Sequence, residues 1–291
     1  ANRLIASTGS PDFTYTYDEG ANGKGRLTSM TYVNQGLPGN ASWNYDPQGR
    51  VIRKQSVFYN NNYDLQWQYD SVGRLTRMIY PSTRYVDYGY NSNGQINQLW
   101  VDGVAMLTNI QYHPTGEVKS WSWGNGQPYQ RTLDADGRIS SYTVGDKRQV
   151  LTYDNAGRIT QLYRALNSSP SSPIANTVST YVYDNLGRLT SNVTSSSNRG
   201  YQYDLSGNRT QLTIGANAYP YGIDSNSNRL LTEAGPNARE YEYDAAGNIT
   251  WDGLNNDTAY SYYNDGRLYR ILKPNATYTS LYNGLGQRTA L

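Results

Sequence analysis

Large and polar residues alternate along most of this chain, and the same punctuation interrupts the alternation at regular intervals. Trp43-Asn44-Tyr45, Trp67-Gln68-Tyr69, Tyr201-Gln202-Tyr203 and Tyr241-Glu242-Tyr243 each set two rings two positions apart around a polar residue. A period of two predicts strands, because successive side chains of an extended chain point to opposite faces. Most of these runs lead into Asp, two loose residues and Gly, and then an outgoing run. Tyr45-Asp46-Pro47-Gln48-Gly49-Arg50-Val51, Tyr69-Asp70-Ser71-Val72-Gly73-Arg74-Leu75 and Tyr183-Asp184-Asn185-Leu186-Gly187-Arg188-Leu189 are examples.

The phrase recurs thirteen times, with its leading residue at 17, 45, 69, 90, 112, 133, 153, 183, 203, 223, 243, 263 and 282. Most intervals are 19 to 24 residues. Self-similarity at this period is the signature of a repeat architecture, so the expectation is all-β: one array of about thirteen β-hairpins over residues 1–291.

The phrase also predicts its own turn. Asp or Asn at the first corner of a type I turn bonds to backbone amides ahead of it, and Gly at the fourth accepts positive φ without strain. The result is a three-residue hairpin loop with a glycine bulge. His113 stands alone among the Asp and Asn residues at the corner, Gly25 is displaced by an insertion, Ser227 replaces Gly, and Gly266 falls one residue early. If Asp46 faces Arg50 across the turn, Tyr45 must pair with Val51. One face of each hairpin is then aromatic and aliphatic, while the turn carries an ion pair: Asp46/Arg50, Asp70/Arg74, Asp134/Arg138, Asp154/Arg158 and Asp184/Arg188.

Leu75/Met78, Ile96/Leu99, Val118/Trp121 and Ile159/Leu162 place a second apolar residue three positions after the first. A bulge and partial burial of the second face both account for that spacing. Two segments break the rhythm. The Ser/Pro-rich run 164–180 and the run 53–64, with Asn60-Asn61-Asn62, are expected to be loops inserted in the array.

Composition then narrows the chemistry. Thirty Tyr and six Trp against two Phe supply an aromatic core with polar handles, and the formal charge is only +2. No Cys is present, which closes disulfide and thiolate-metal sites. No apolar run approaches the ~18 residues of a membrane span, and no signal-peptide pattern opens the chain, so export implies a trimmed precursor or another route. Basic residues recur with the repeat instead of concentrating in one run, which argues against a nucleic-acid partner.

Tyr-Asp-x-x-Gly-Arg-Leu-Thr, at Tyr69 to Thr76 and Tyr183 to Thr190, resembles the YD repeat of the Rhs family, and Tyr282-Asn283-Gly284-Leu285-Gly286-Gln287-Arg288 is similar to units late in such arrays. That family includes bacterial polymorphic toxins, the C component of insecticidal toxin complexes, wall-associated proteins and teneurins. The resemblance implies a ribbon of hairpins forming a curved or spiralling sheet, part of a hollow shell or barrel. In the toxins that shell encloses a C-terminal cytotoxic domain. The implied partners are this protein's own C-terminal toxin domain or remaining shell segments, and the implied location is secreted or cell surface. The family's self-cleaving aspartates are not carried over, because Asp46-Pro47 belongs to an ordinary turn. Thirteen hairpins suit a section of such a shell, a fragment of a longer protein.

Catalysis has little to work with. A lone histidine, His113, excludes His triads and multi-histidine metal sites. The acid pairs Asp134/Asp136, Asp252/Asp257 and Asp64/Asp70 are the ones a glycosidase reading would use, but scattered surface acids explain them. The expectation is no catalytic, cofactor-binding or metal-binding residue, no cofactor and no enzymatic activity. The alternative is a carbohydrate-binding or cell-surface adhesion module, with Trp100, Trp121, Trp123 and Trp251 as stacking rings.

Overall fold

The computed structural model describes residues 3–7, 12–34, 36–58, 61–253 and 258–290. Among them all regular structure is β, and no helix is long and apolar enough to cross a membrane. The chain divides into two compact units, one of 1–111, 121–126 and 279–291 and the other of 112–120 and 127–278.

In the first unit the strands form an antiparallel meander. Asp12–Tyr17 pairs with Leu27–Asn34, which pairs with Leu37–Tyr45, and pairing passes in turn through Val51–Phe58, Asn61–Tyr69, Leu75–Ile79, Tyr85–Tyr90 and Ile96–Val101. The second unit continues in the same manner from Pro128–Leu133 to Leu268–Lys273. The predicted register holds: Tyr45 faces Val51, Tyr69 faces Leu75 and Tyr183 faces Leu189.

The spacing of three is a bulge. Tyr69 faces Leu75, yet Gln68 faces Arg77, so Thr76 is the extra residue. The slip turns Met78 back to the side of Leu75, opposite Trp67 as Leu75 is opposite Tyr69. Ile96/Leu99 and Ile159/Leu162 repeat the arrangement against Tyr90/Tyr88 and Tyr153/Leu151.

Three expectations are corrected. The leading residue near 263 is Tyr262, which faces Leu268; Tyr263 takes the Asp corner, closing the turn through its N–H to Arg267 O at 2.8 Å. Gly266 is therefore on time, and Asn264 lies inside the turn. The run 53–64 is not a loop: Arg53 through Phe58 pair with Gln66 through Asn61. Asn60 lies outside the described residues. Within 164–180, Ser169–Pro173 is an exposed strand on the extended end of Ile159–Leu166, and Ser179–Tyr183 resumes the meander beside it. Prolines are tolerated there because an edge strand needs few donors.

The first unit has a true core of Phe13, Tyr15, Met30, Tyr32, Ala41, Phe58 and Leu281. Leu281 arrives on the hairpin Leu281–Tyr282/Arg288–Ala290, where Tyr15 Oη donates to Gly284 O at 2.7 Å. A Cβ at Gly284 would stand 2.7 Å from Tyr15 Oη and 3.0 Å from Phe13 Cδ1, so a larger residue would have to displace these rings. The second unit buries little beyond Ser141, Thr143, Gln149, Tyr163, Ala165 and Thr258. Most of its other side chains, on both faces, are only half-buried, as in a single-layered sheet.

Candidate functional site

The repeated turn builds the one recurrent polar constellation. At residues 184–188 the Asp184 N–H donates to Arg188 O at 2.9 Å and the Gly187 N–H donates to Asp184 O at 3.0 Å. Asp184 Oδ1 accepts the Leu186 and Arg188 N–H groups at 3.0 and 2.8 Å, and Oδ2 accepts Arg188 Nε at 2.7 Å. Asp70 and Asp154 are held in the same way. The backbone N–H of the residue four ahead, with the guanidinium beside it, holds all three carboxyls below the usual carboxylate range despite burial. At Asp204 and Asp244 the amides of Asn208 and Asn248 replace the guanidinium.

Each arginine also reaches its neighbour. Arg158 lies 4.9 Å over the Tyr183 ring and donates through Nη1 to Asp184 O at 3.2 Å. Arg188 does the same over Tyr203, at 4.7 Å, and to Asp204 O at 2.9 Å. Arg50 over Tyr69, Arg74 over Tyr90 and Arg138 over Tyr153 sit at 4.5 to 4.6 Å.

The tyrosine hydroxyls complete the link. Tyr69 Oη donates to Val51 O at 3.0 Å, Tyr90 to Leu75 O at 2.7 Å, Tyr183 to Ile159 O at 2.8 Å and Tyr203 to Leu189 O at 2.8 Å. Tyr45, Tyr153, Tyr243 and Tyr262 reach Leu27, Ile139, Leu230 and Ile249 in the same way. Burial pushes the Tyr69, Tyr90 and Tyr183 phenols up, which keeps them protonated as donors. Sequence reasoning saw these tyrosines as packing and the arginines as serving their own turn. The recurrence of Arg and of Tyr, in a chain with two Phe, was the signal that both groups face a neighbour.

The acid pairs are spent on arginine. Arg138 holds Asp134 at 2.7 Å and Asp136 at 2.8 Å, Arg53 holds Asp64 at 2.7 Å, and Arg239 holds Asp252 at 2.9 Å. Asp257 lies outside the described residues. Burial pushes Asp134 up, but the backbone N–H and guanidinium of Arg138 outweigh it; Asp64 is lowered chiefly by Arg53. A glycosidase acid requires the opposite shift. His113 forms the turn as predicted, its N–H donating to Glu117 O at 2.8 Å and its O accepting the Gly116 N–H at 2.9 Å. Among the described residues no group of three His, Asp or Glu is placed to hold a metal. Trp121 and Trp123 meet edge to face at 5.4 Å, which offers no flat shelf, and Trp100 and Trp251 are half-buried in their strands.

What recurs is thus a tyrosine followed by an aspartate, tied to the next copy by arginine and hydroxyl, and residues 149–290 match the Teneurin YD-shell family. The repeats resemble YD repeats. Human Teneurin-4 is 28% identical over 156 residues, which cover 53% of this chain and 5% of Teneurin-4. Two solved structures share the fold of nearly the whole chain. TcdB2-TccC3-Cdc42 matches 96% of this chain with a TM-score of 0.62 at 15% identity, and TcdB2-TccC3 without hypervariable C-terminal region matches 94% with a TM-score of 0.63 at 16% identity. The chain spans 20% and 19% of the length of those chains. At such identity the likeness is one of fold.

Proposed function

We propose that this chain is a non-enzymatic wall segment, one continuous YD array over 1–291, of a shell that encloses a C-terminal toxin domain in a secreted or surface-delivered toxin. The observation that carries the proposal is the direction of the repeated contacts. The turn arginines and leading tyrosines join one hairpin to the next while the turn aspartates close their own turns, and that division of labour is what a wall needs. The match to a YD-shell family supports it, and so does the fold of a TcdB2-TccC3 protein that has a hypervariable C-terminal region. That region is the counterpart of the cargo proposed here.

The test is limited proteolysis of the complete gene product. A segment C-terminal to residue 291 that resists protease until mild denaturant opens the wall supports encapsulation. A gene product whose C-terminal segment is digested freely, or which is retained on a glucan or choline column, places the protein among surface-binding modules instead. Hydrolysis of glycosides or peptides by the purified chain would overturn the non-enzymatic reading.

A further inference from the structure

The sheet of the first unit contains a hollow that the repeat pattern does not require. Met30, Ala41, Ser56 and Tyr63 form one cross-strand row over four neighbouring strands. The two small residues in the middle of the row leave room between the larger ones. Tyr32 and Phe58 close one side, Lys54 and Leu65 belong to the next row, and Gln287 and Arg288 come over from the C-terminal hairpin. The cavity measures about 200 Å³, the space of roughly seven waters at ~30 Å³ each. Met30, Ala41 and Phe58 in its lining are 1%, 2% and 6% exposed, so its floor is apolar.

Lys54 is the anomaly. It faces Trp43 across the hairpin, the position that Met78, Leu99, Leu162 and Leu212 fill against their own partners. A lysine set into an apolar row departs from the local pattern, and such departures gather at functional positions. Its ammonium lies 5.7 Å from the Trp43 ring and 3.5 Å from Gln287 Oε1. Burial lowers its pKa, and among the described residues no carboxylate offsets that. Arg288 is the second cation of the lining, and among the described residues no acidic one lines the cavity. Neither cation forms an ion pair among the described residues.

We propose that this cavity is a binding site for a small amphiphilic monocarboxylate, whose apolar body rests on Met30, Ala41 and Phe58 while its carboxylate pairs with Lys54 and Arg288. The volume is below the ~300–1,000 Å³ of drug-sized pockets, which limits the ligand to a short aliphatic or single-ring acid. The inference does not depend on the wall carrying a cargo.

The chain carries three methionines, Met30, Met78 and Met106, and only Met30 lines the cavity. Methyl-labelled methionine in the intact chain therefore gives a site reporter with two internal controls, and hexanoate is the probe. Hexanoate should shift the Met30 methyl saturably and leave the other two in place. Hexan-1-ol and hexylamine should bind about tenfold more weakly or not at all, the loss expected for one charge-assisted contact. Lys54→Met should weaken hexanoate by about tenfold, and Arg288→Gln, at an exposed position, should weaken it measurably. If Lys54→Met fails to fold, Arg288→Gln and the alcohol comparison still decide. Equal binding of hexanol and hexanoate, shifts shared by all three methyls, no saturable Met30 shift, or Lys54→Met and Arg288→Gln variants that bind like the parent would each overturn the proposal.

Discussion

If the joints between repeats hold the array together, Arg158 and Tyr183 should be energetically coupled, and the coupling should run through the ring. Arg158 makes three contacts: Nε to Asp154 Oδ2 at 2.7 Å, the guanidinium 4.9 Å over the Tyr183 ring, and Nη1 to Asp184 O at 3.2 Å. Arg158→Met keeps the stem and removes all three. Tyr183→Phe removes only the 2.8 Å hydroxyl bond to Ile159 O and should cost about 0.5–1.5 kcal/mol. Tyr183→Leu removes the ring as well. In a double-mutant cycle the Asp154 contact is lost in both arginine-free variants and cancels. The Arg158→Met/Tyr183→Leu cycle should show about 0.5–1 kcal/mol of coupling, the value of a partly exposed cation–π contact. The Arg158→Met/Tyr183→Phe cycle should show almost none, since phenylalanine retains the ring face. Because arrays of this kind need not unfold in one step, the readout is amide exchange of the strands 159–166, 179–183 and 189–194, with urea unfolding as a check. Coupling in the leucine cycle within the ~0.3 kcal/mol of ordinary additivity, or equal coupling in both cycles, would refute a ring-mediated joint.

Gly187 has φ of 80°, and a Cβ there would meet nothing closer than Arg158 Nη1 at 3.8 Å, so the obstacle to substitution is the backbone alone. Gly187→Val should cost about 1–3 kcal/mol in urea unfolding, and an unchanged midpoint would contradict the left-handed turn. The carboxyls of Asp70, Asp154 and Asp184 are lowered in the folded chain, so their stabilisation is complete above the unfolded carboxylate value of ~4 and is lost as pH falls through the lowered folded values. Thermal midpoints should therefore be level from neutral pH to about 4 and fall below it, and a rise on acidification would reverse the sign. Asp18 is held at about 2, first by its bond to Arg3 and then by the Gly25 N–H. Arg3→Ala should move it back up toward the ordinary range in a carboxyl NMR titration, and an unmoved value would rule out the Arg3 contact in solution.

The turns were legible because their chemistry is local: Asp184 caps amides two and four residues ahead, and Gly187 occupies a conformation few other residues tolerate. The register followed from the turn. The error at Tyr262-Tyr263 shows which signal governs, since the ring doublet allowed two readings and Gly266, at φ of 80°, allowed one. The asparagine run near 60 misled for a different reason. Asn61 and Asn62 are poor strand formers, but they face Phe58 and Val57 in a long hairpin, and pairing overrides propensity. The contacts between hairpins could not be read in this way, because which carbonyl lies under a given tyrosine depends on how neighbouring hairpins pack. Lys54 could have been noticed by aligning the hairpins on their leading residues, where it replaces Met78 and Leu99.

The bulge and the tyrosine hydroxyl work together. A bulge takes one residue of the outgoing strand out of the regular ladder, which locally weakens backbone pairing. Leu75, Ile159 and Leu189 stand at that point, and their carbonyls are the ones that accept Tyr90, Tyr183 and Tyr203 Oη. The hydroxyl thus supplies a donor where the ladder is disturbed, a reason for tyrosine in place of phenylalanine at these leading positions. The junction leading to Ile223 tests the reasoning within the molecule itself. Ile223 has no hydroxyl to give, and the residue facing Tyr203 across the preceding hairpin is Arg209 instead of an aliphatic. There Arg209 lies 4.8 Å over Tyr221 and 5.7 Å over Tyr201, and Asn208 Nδ2 donates to Asn228 Oδ1 at 3.1 Å. Where the tyrosine is missing, a cation between two rings and an amide pair join the neighbours. Among the described residues tyrosine is the commonest form of the joint, and the Ile223 junction shows that a cation and an amide pair can take its place.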